Sequence, residues 1–266
     1  MNIISLSWFD IAVATLLILA LAALSLRQQL KLERQLLIAT ARTIIQLTLV
    51  GLVLKVVFSA DELRWVALMA GVMLAVAGWE VMARQSRRFK GFVGYGIGTS
   101  AMFVSSFTIT LFALILVIGN EPWYTPQYAI PLLGMMLGNT MTGIALSLDR
   151  LTSGAWQQRA LIENRLMLGQ DWKEAISELR REAIRAGMMP TINAMAAVGI
   201  VSLPGMMTGQ ILAGIAPVEA VKYQILIMLM VSAGAGFGTV IALSLGAKRL
   251  FDQRQRLRLE RLSAPT

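Results

Sequence analysis

Long runs of apolar residues follow one another along most of this 266-residue chain. A run of about 20 apolar residues is long enough to cross the hydrocarbon core of a bilayer as a helix. The pattern therefore predicts an all-α, polytopic transmembrane helix bundle. Seven such runs occur, at about Trp8–Leu26, Ile38–Phe58, Trp65–Ala83, Gly94–Ile118, Ala129–Leu148, Met189–Ile211 and Tyr223–Ala247. Because Pro204 interrupts the sixth run, a kink or a short broken helix is expected there.

The composition supports a membrane environment. Only 15% of the residues are charged, whereas a soluble domain has about 25%, so the chain lacks the polar surface of a soluble body. No polar stretch is longer than roughly 40 residues, which is short for a soluble domain. We therefore expect a single transmembrane domain over residues 1–266. The first run has no preceding Lys or Arg, so it is expected to be a retained helix and not a cleaved signal peptide.

Basic residues are concentrated after alternate apolar runs. Of the 24 Lys and Arg residues, 20 follow the first, third, fifth and seventh runs. Cytoplasmic loops carry such an excess, which predicts an N-terminus outside the cell and a cytoplasmic C-terminus. This distribution also explains the net charge of +9 without a nucleic-acid partner.

The longest polar segment, at about 149–188, is predicted to be cytoplasmic and helical. Asp171 and Glu174 have the spacing of a capping box, which predicts a helix start. Gly169 lies just before it and predicts a turn between two helices. Apolar residues recur at helical spacing on both sides of this turn. A helical hairpin with such an apolar stripe needs a partner surface.

Polar residues inside the fifth and sixth runs are candidates for a substrate pathway. Polar groups at membrane depth are costly unless they face the protein interior or a water-filled path. Met135, Asn139 and Thr142 share one predicted helical face. The remaining candidates are Asn193, Ser202, Met206, Met207 and Gln210. The chain has 16 methionines; thioethers suit soft metals such as Cu(I), but methionine is also a flexible gap filler, and both interpretations stay open.

Two further patterns inside the runs have alternative interpretations. Arg42 and Gln46 lie one turn apart in the second run, and Glu80 lies at a similar depth in the third. An Arg42–Glu80 ion pair would neutralise both charges; the alternative is snorkelling to the interface. Glycine pairs at four-residue spacing allow close helix packing, either within one bundle or between two copies. These pairs are Gly94/Gly98, Gly134/Gly138 and Gly234/Gly238.

Several chemistries are excluded by residues that the chain does not contain. It has no cysteine and no histidine, so disulfides, Cys or His metal sites and Ser-His-Asp triads are ruled out. No phosphate-binding loop of the form GxxxxGK[ST] occurs. We therefore expect no enzymatic activity and no cofactor of its own, and the ligands of any metal are unknown.

Several segments of the chain resemble one family, the FetB-type permeases, which are membrane subunits of bacterial ABC transporters implicated in iron export and which have plant relatives in aluminium tolerance. The most specific segment is Val198–Gln210, where a Pro-Gly break is followed by Met-Met. The other segments are Arg42–Leu47, Met135–Gly143, Arg185–Asn193 and Gly214–Gln224.

The resemblance implies an ATP-driven permease in the bacterial cytoplasmic (inner) membrane that exports iron or another metal ion. Such a permease forms a homodimer and binds an ABC ATPase subunit, which holds the ATP. Segment 149–188 would dock this ATPase. Glu163 and Gly169 echo the coupling loop of ABC importers, although Asn164 and Arg165 replace two alanines of that loop. The expected docking residues are Glu163, Leu166, Gly169, Asp171, Trp172 and Ile176.

Two other classes of function remain as alternatives. An ATP-independent secondary transporter or channel would need ionisable residues deep in the membrane for ion coupling, and these are scarce. A membrane scaffold that transports nothing is the second alternative. A lone ABC ATPase encoded beside this gene would argue against both.

Overall fold

The computed structural model describes residues 7–60 and 62–264. In these residues the chain is helical and forms no named strand, which confirms the predicted all-α bundle. We number the helices α1 Trp8–Arg27, α2 Glu33–Ala60, α3 Leu63–Ala83, α4 Phe92–Ile118, α5 Pro126–Gln157, α6 Arg159–Met167, α7 Trp172–Ala175, α8 Ser177–Ala197, α9 Gly205–Leu212 and α10 Pro217–Leu250. Two stretches of α4, Phe103–Phe107 and Ala113–Ile118, are π-helical.

Six helices in the described part of the chain are long and apolar enough to cross a membrane, namely α1 to α5 and α10. The sixth predicted span, Met189–Ile211, does not form one continuous helix, which confirms the break expected near Pro204. Its first half is the end of α8, and its second half is the separate short helix α9. Backbone breakers at Gly199 and Pro204 separate the two halves.

The helices form two compact units. The first unit runs to Glu62 and includes Leu212–Gly214. Its helices α1 and α2 contact each other. Their connection is fixed by Ser25, whose hydroxyl donates to the Glu33 carboxylate at 3.1 Å and accepts from the Leu32 backbone N–H at 3.1 Å. The prediction of one domain over the whole chain stays a prediction.

The second unit is a bundle in which α5 runs against three neighbours. Gly154 and Arg150 of α5 lie opposite Leu179 and Glu182 of α8, so these two helices are antiparallel. Helix α10 is parallel to α5, since Met136 lies against Gly234 and Leu148 against Gly246. Helix α3 is also parallel to α5. The basic ends of α3, α5 and α10 therefore lie at the same end of the unit, in agreement with the charge pattern.

The closest contact between helices is where α5, α8 and α10 meet. A Cβ atom added at Gly187 of α8 would lie 2.5 Å from the Gly143 carbonyl oxygen of α5 and 3.0 Å from Cγ2 of Thr239 of α10. Only a glycine lets the backbones come this close. The three glycine pairs noted in the sequence mostly pack in the same way inside the unit, although Gly138 has nothing within 4 Å of an added Cβ among the described residues.

The break between α8 and α9 is a compact turn. Gly199 has a φ of +84°, in the left-handed region that glycine adopts without steric cost. The Gly199 N–H donates to the Ser202 carbonyl at 2.9 Å, and the Ser202 N–H donates to the Ala197 carbonyl at 3.2 Å. Pro204 then precedes α9, and its carbonyl accepts from the Thr208 N–H at 3.0 Å. The turn therefore satisfies several backbone groups that the missing helical turn leaves free.

The segment after α5 forms the expected hairpin, in which α6 ends at a glycine turn and α7 leads into α8. Gly169 has a φ of +90°, and the Gln170 N–H donates to the Arg165 carbonyl at 3.2 Å. Asp171 caps α7 by accepting from the Glu174 N–H at 2.8 Å, which confirms the aspartate half of the predicted capping box. The next backbone N–H group, that of Trp172, donates to the side-chain oxygen of Gln255 at 3.0 Å.

Residues 251–264, which we call the C-terminal hook, fold back over the end of the bundle. The Phe251 ring lies 5.5 Å from that of Trp172. The Arg258 N–H donates to the Leu250 carbonyl at 2.8 Å, and the Lys90 N–H donates to the Arg261 carbonyl at 2.8 Å. The hook therefore ties the hairpin to the connection between α3 and α4. The charge pattern of the sequence marked this segment only as basic.

Replacing Gly187 by alanine should destabilise the bundle. The added Cβ meets backbone and side-chain atoms of two helices at 2.5 to 3.0 Å, and overpacking of this kind costs about 1–3 kcal/mol. We expect a lower Tm for purified Gly187→Ala protein in detergent, measured by differential scanning fluorimetry. Gly96→Ala is the matched control, because nothing lies within 4 Å of a Cβ added there. Equal Tm values for both variants would contradict the close crossing.

Removing the Phe251 ring should release the hook. This ring is buried, and truncating a buried Phe to Ala costs about 3–5 kcal/mol. Proteolysis of a segment follows the population of its open form. We therefore expect trypsin to cut Phe251→Ala protein after Arg254, Arg256 or Arg258 about tenfold faster than wild type or more, as read by intact-mass spectrometry. The control is Phe92→Ala, which removes an exposed ring. A hook that resists trypsin equally in both variants would contradict this packing.

Candidate functional site

A cavity of about 480 Å³ lies where the broken helix meets α10. The end of α8, the turn, α9 and the first half of α10 all contribute to its wall. Its lining is almost wholly apolar except for one amide. The lining residues are Met195, Val198, Gly199, Leu203, Met207, Val221, Gln224, Ile225, Met228 and Leu229.

Gln224 is the polar side chain in this lining. It is 6% exposed, and its Oε1 atom has no hydrogen-bond partner among the described residues. A buried acceptor left without a donor costs about 1–3 kcal/mol. Such an orphaned group needs an explanation, and one explanation is a bound ligand.

The predicted pathway residues of α5 lie together on one face. Met135 and Thr142 are half-buried and Asn139 is exposed. The Asn139 side-chain N–H donates to the Met135 carbonyl at 2.8 Å, and the Thr142 hydroxyl donates to the Gly138 carbonyl at 3.0 Å. The antiparallel register of α5 and α8 puts Asn139 and the exposed Asn193 at the same height in the bundle. The structure records no hydrogen bond between these two asparagines.

The other four predicted pathway residues lie in the break and in α9. Met207 lines the cavity, and Met206 is half-buried. Ser202 is exposed and its backbone closes the turn. The Oε1 atom of Gln210 is enclosed without a partner among the described residues. Of the eight predicted pathway residues, Met207 is the one that the structure places in the cavity wall.

The predicted docking residues divide into two groups. Glu163, Gly169 and Asp171 are exposed at the tip of the hairpin, and they line a groove of about 770 Å³ with residues 253–257 of the hook. Leu166, also in that lining, and Trp172 are half-buried. Ile176 is 1% exposed, so in this structure it cannot contact a separate protein directly. Its side chain packs in the core of the unit and stabilises the hairpin from inside.

Two exposed apolar residues at the hairpin tip were not among the predicted docking residues. Met167 is 78% exposed and Leu168 is 84% exposed. They are adjacent and come at the end of α6, directly before the glycine turn. Large apolar side chains that are exposed together indicate an interaction surface. The sequence predicted an apolar stripe in this segment, but helical spacing cannot show which part of such a stripe stays uncovered.

Ion pairs hold the hairpin and the hook in shape. The Arg165 guanidinium donates to the Glu178 carboxylate at 2.7 Å and to the Ala175 carbonyl at 3.2 Å. This hydrogen bond and charge lower the pKa of Glu178 below its ordinary value. In the hook, backbone N–H donation from Arg256 is the main cause that lowers the pKa of Asp252, which is also paired with Arg258 at 2.8 Å. Both carboxylates therefore stay ionised well below neutral pH.

The predicted intramembrane polar residues are divided between the two units. Arg42 and Gln46 lie one turn apart on α2 and are exposed on that helix. Glu80 on α3 lies 3.7 Å from Nε of Arg84. The Arg42–Glu80 ion pair stays a hypothesis. In the described part of the chain, no group of three or more acidic, His or Cys residues is placed to hold a metal ion.

The comparisons with known proteins agree with this architecture. The model of the "Uncharacterised protein family (UPF0014)" matches residues 8–251, which reach from the start of α1 to the first residue of the hook. A UPF0014 membrane protein of Synechocystis is 42% identical over 96% of this chain and 98% of its own length. No solved structure gives a significant match.

Two relatives have more informative names. The "Probable iron export permease protein FetB" of Escherichia coli is 36% identical over 93% of both chains. The "Protein ALUMINUM SENSITIVE 3" of Arabidopsis thaliana is 33% identical over 86% of this chain and 82% of its own length. The family match over most of the chain and these identities confirm the resemblance to FetB-type permeases. The chain is a membrane protein of the UPF0014 family.

Proposed function

We propose that this chain is the permease subunit of an ABC transporter that exports metal ions, iron among the candidates, across the bacterial cytoplasmic membrane. The ATP is bound and hydrolysed by a separate ATPase subunit, and the permease needs no cofactor of its own. The observation that supports this most directly is the exposed apolar tip of the hairpin, Met167 and Leu168, which leads into the helix that ends at the cavity.

The hairpin is built to transmit a force. Helix α8 follows α7 after a single residue, Ile176, and the Arg165–Glu178 and Arg150–Glu182 ion pairs hold it against α6 and α5. An ATPase that moves the tip would therefore move α8 as one body. Since α8 ends at the break, such a movement changes the wall of the cavity. The permease would thus shift between two populated conformations, because the ATPase binds one of them more tightly than the other.

The working unit in this proposal is a homodimer with two ATPase subunits, embedded in lipid. Each ATPase needs a docking tip, and one chain supplies one hairpin. The outer face of α8 supports this arrangement, because Met189, Ile192 and Asn193 are exposed on the single chain. A second copy of the chain would cover these three residues and would also contact the exposed side of Asn139. The name of the Escherichia coli relative supports iron as a cargo.

A charge at the hairpin tip should release the ATPase. We would express the tagged chain in its native host, solubilise it in mild detergent and identify stoichiometric partners by mass spectrometry. Wild type should retain an ABC ATPase. Met167→Asp and Leu168→Asp should each lower the retained ATPase by about tenfold or more, because a charge in an apolar contact costs more than the 1.4 kcal/mol that a tenfold loss requires.

Ala160→Asp is the control for this experiment. It adds the same charge at an exposed residue of the same helix, about 10 Å from the tip, and it should leave the ATPase bound. A wild-type chain that purifies without any ATPase would contradict the proposal and favour an ATP-independent transporter. Equal retention by all three variants would leave the ABC class intact but would place the docking surface elsewhere.

A further inference from the structure

Four residues of α10 recur every fourth position and form a stripe on one face of that helix. They are Gln224, Met228, Ser232 and Gly236. Residues at this spacing lie one above another along a helix, so the stripe is about 18 Å long. Its first two residues line the cavity, and the other two continue toward the cytoplasmic end predicted from the charge pattern.

Two methionine side chains of α8 lie against the half of this stripe that does not line the cavity. The Ser232 hydroxyl lies 2.8 Å from the sulfur of Met195 and 2.7 Å from the Met228 carbonyl oxygen, and its single hydrogen is shared between these two acceptors. Seven residues before Met195, the sulfur of Met188 lies 3.6 Å from a Cβ added at Gly236. Met188 and Met195 therefore follow the stripe two turns apart. Met207 of α9 and Met228 add two more thioethers at the cavity.

These methionines differ from ordinary core residues. Met195 is 40% exposed, and Met188, Met207 and Met228 are half-buried, whereas a gap-filling methionine such as Met136 is fully buried. They also share their wall with a buried amide oxygen, Oε1 of Gln224, which has no partner among the described residues. The row therefore offers several soft sulfur donors and one buried amide oxygen along the same wall.

We infer that this row, Met188, Met195, Met207 and Met228 with Gln224, is a cation pathway for soft metal ions of the Cu(I) type. We call it the thioether row. Thioether sulfur selects soft cations, while hard cations take several oxygen ligands. The row offers one amide oxygen and no carboxylate, so it would bind Fe(III) or Al(III) poorly. The inference rests on the proposed function, because it names the class of cargo that the permease carries.

The composition of the chain makes the row testable by direct binding. With no Cys and no His, thioethers are its only soft donors. Ag(I) is a redox-stable probe of the same class, and its binding to the full-length chain in detergent can be measured by equilibrium dialysis with elemental analysis. We expect saturable Ag(I) binding that excess Fe(III) does not displace. No saturable binding, or displacement by Fe(III), would overturn the inference.

The double variant Met195→Leu/Met228→Leu locates the site. Leucine keeps the volume of methionine at little cost in stability but removes the sulfur. Even an outer-shell partner of a metal ligand is worth 10–100-fold in affinity, so the loss of two donors should weaken Ag(I) binding by about tenfold or more. Met73→Leu, a half-buried methionine of α3, should bind like wild type. If the double variant also binds like wild type, Ag(I) sits elsewhere and the row is not the site.

Gln224→Leu gives a second readout that a purely structural role would not produce. Removal of an orphaned acceptor should raise the Tm of the metal-free protein, while Ag(I) binding becomes weaker. A variant with a lower Tm and unchanged Ag(I) affinity would show that Gln224 serves packing alone. ATPase retention measured on the same preparations separates the two proposals. If the chain retains the ATPase but does not bind Ag(I), only the proposed class of cargo is contradicted. If the chain binds Ag(I) but purifies without an ATPase, only the ABC assignment is contradicted.

Discussion

The close approach of α5, α8 and α10 at Gly143, Gly187 and Thr239 is the constraint on which the second unit depends. A membrane bundle gains little from the hydrophobic effect between helices and relies on close packing. With backbones this near, the register of α8 against both neighbours is fixed. That register brings Arg150 to Glu182 and Met195 to Ser232. The hairpin at one end and the cavity at the other are therefore placed by one contact between them.

In the proposed transport cycle, this arrangement would make α8 a lever that pivots at the glycine crossing. Below the pivot, the helix is fastened to the hairpin by two ion pairs and by the buried Ile176. On the other side of the pivot, the backbone hydrogen bonds of α8 do not continue into α9, because the chain turns at Gly199. The hook adds a further brace through the contact of Phe251 with Trp172. We would therefore expect a displacement at the tip to change the turn at Gly199 more than the tightly packed glycine crossing.

The sequence predicted the parts of this molecule that depend on local patterns. The length of the apolar runs predicted the helix bundle. The charges of the loops predicted that the basic ends of α3, α5 and α10 lie on the same side, and Asp171 with Gly169 predicted the hairpin turn. It did not predict the hook, since Phe251 and Leu262 are joined by chain without helical periodicity. It also assigned Ile176 to a partner surface, although the stripe faces its own bundle. Periodicity shows that a helix has an apolar face, but what covers that face depends on the tertiary fold.

The sequence did not predict the cavity either, because the cavity also depends on the tertiary fold. The side chains that line it bear on how a permease releases its cargo. The fold-back of α9 brings Met207 to Gln224, two residues that no sequence spacing connects. A pathway with carboxylates would bind a hard cation tightly and would need a large input of energy to give it up. Thioethers are neutral and each binds weakly, so in the proposed pathway a rotation of α8 about the glycine crossing would release the cation by moving Met195 away from Met228. Weak donors on two helices that move relative to each other suit transport better than a rigid cage.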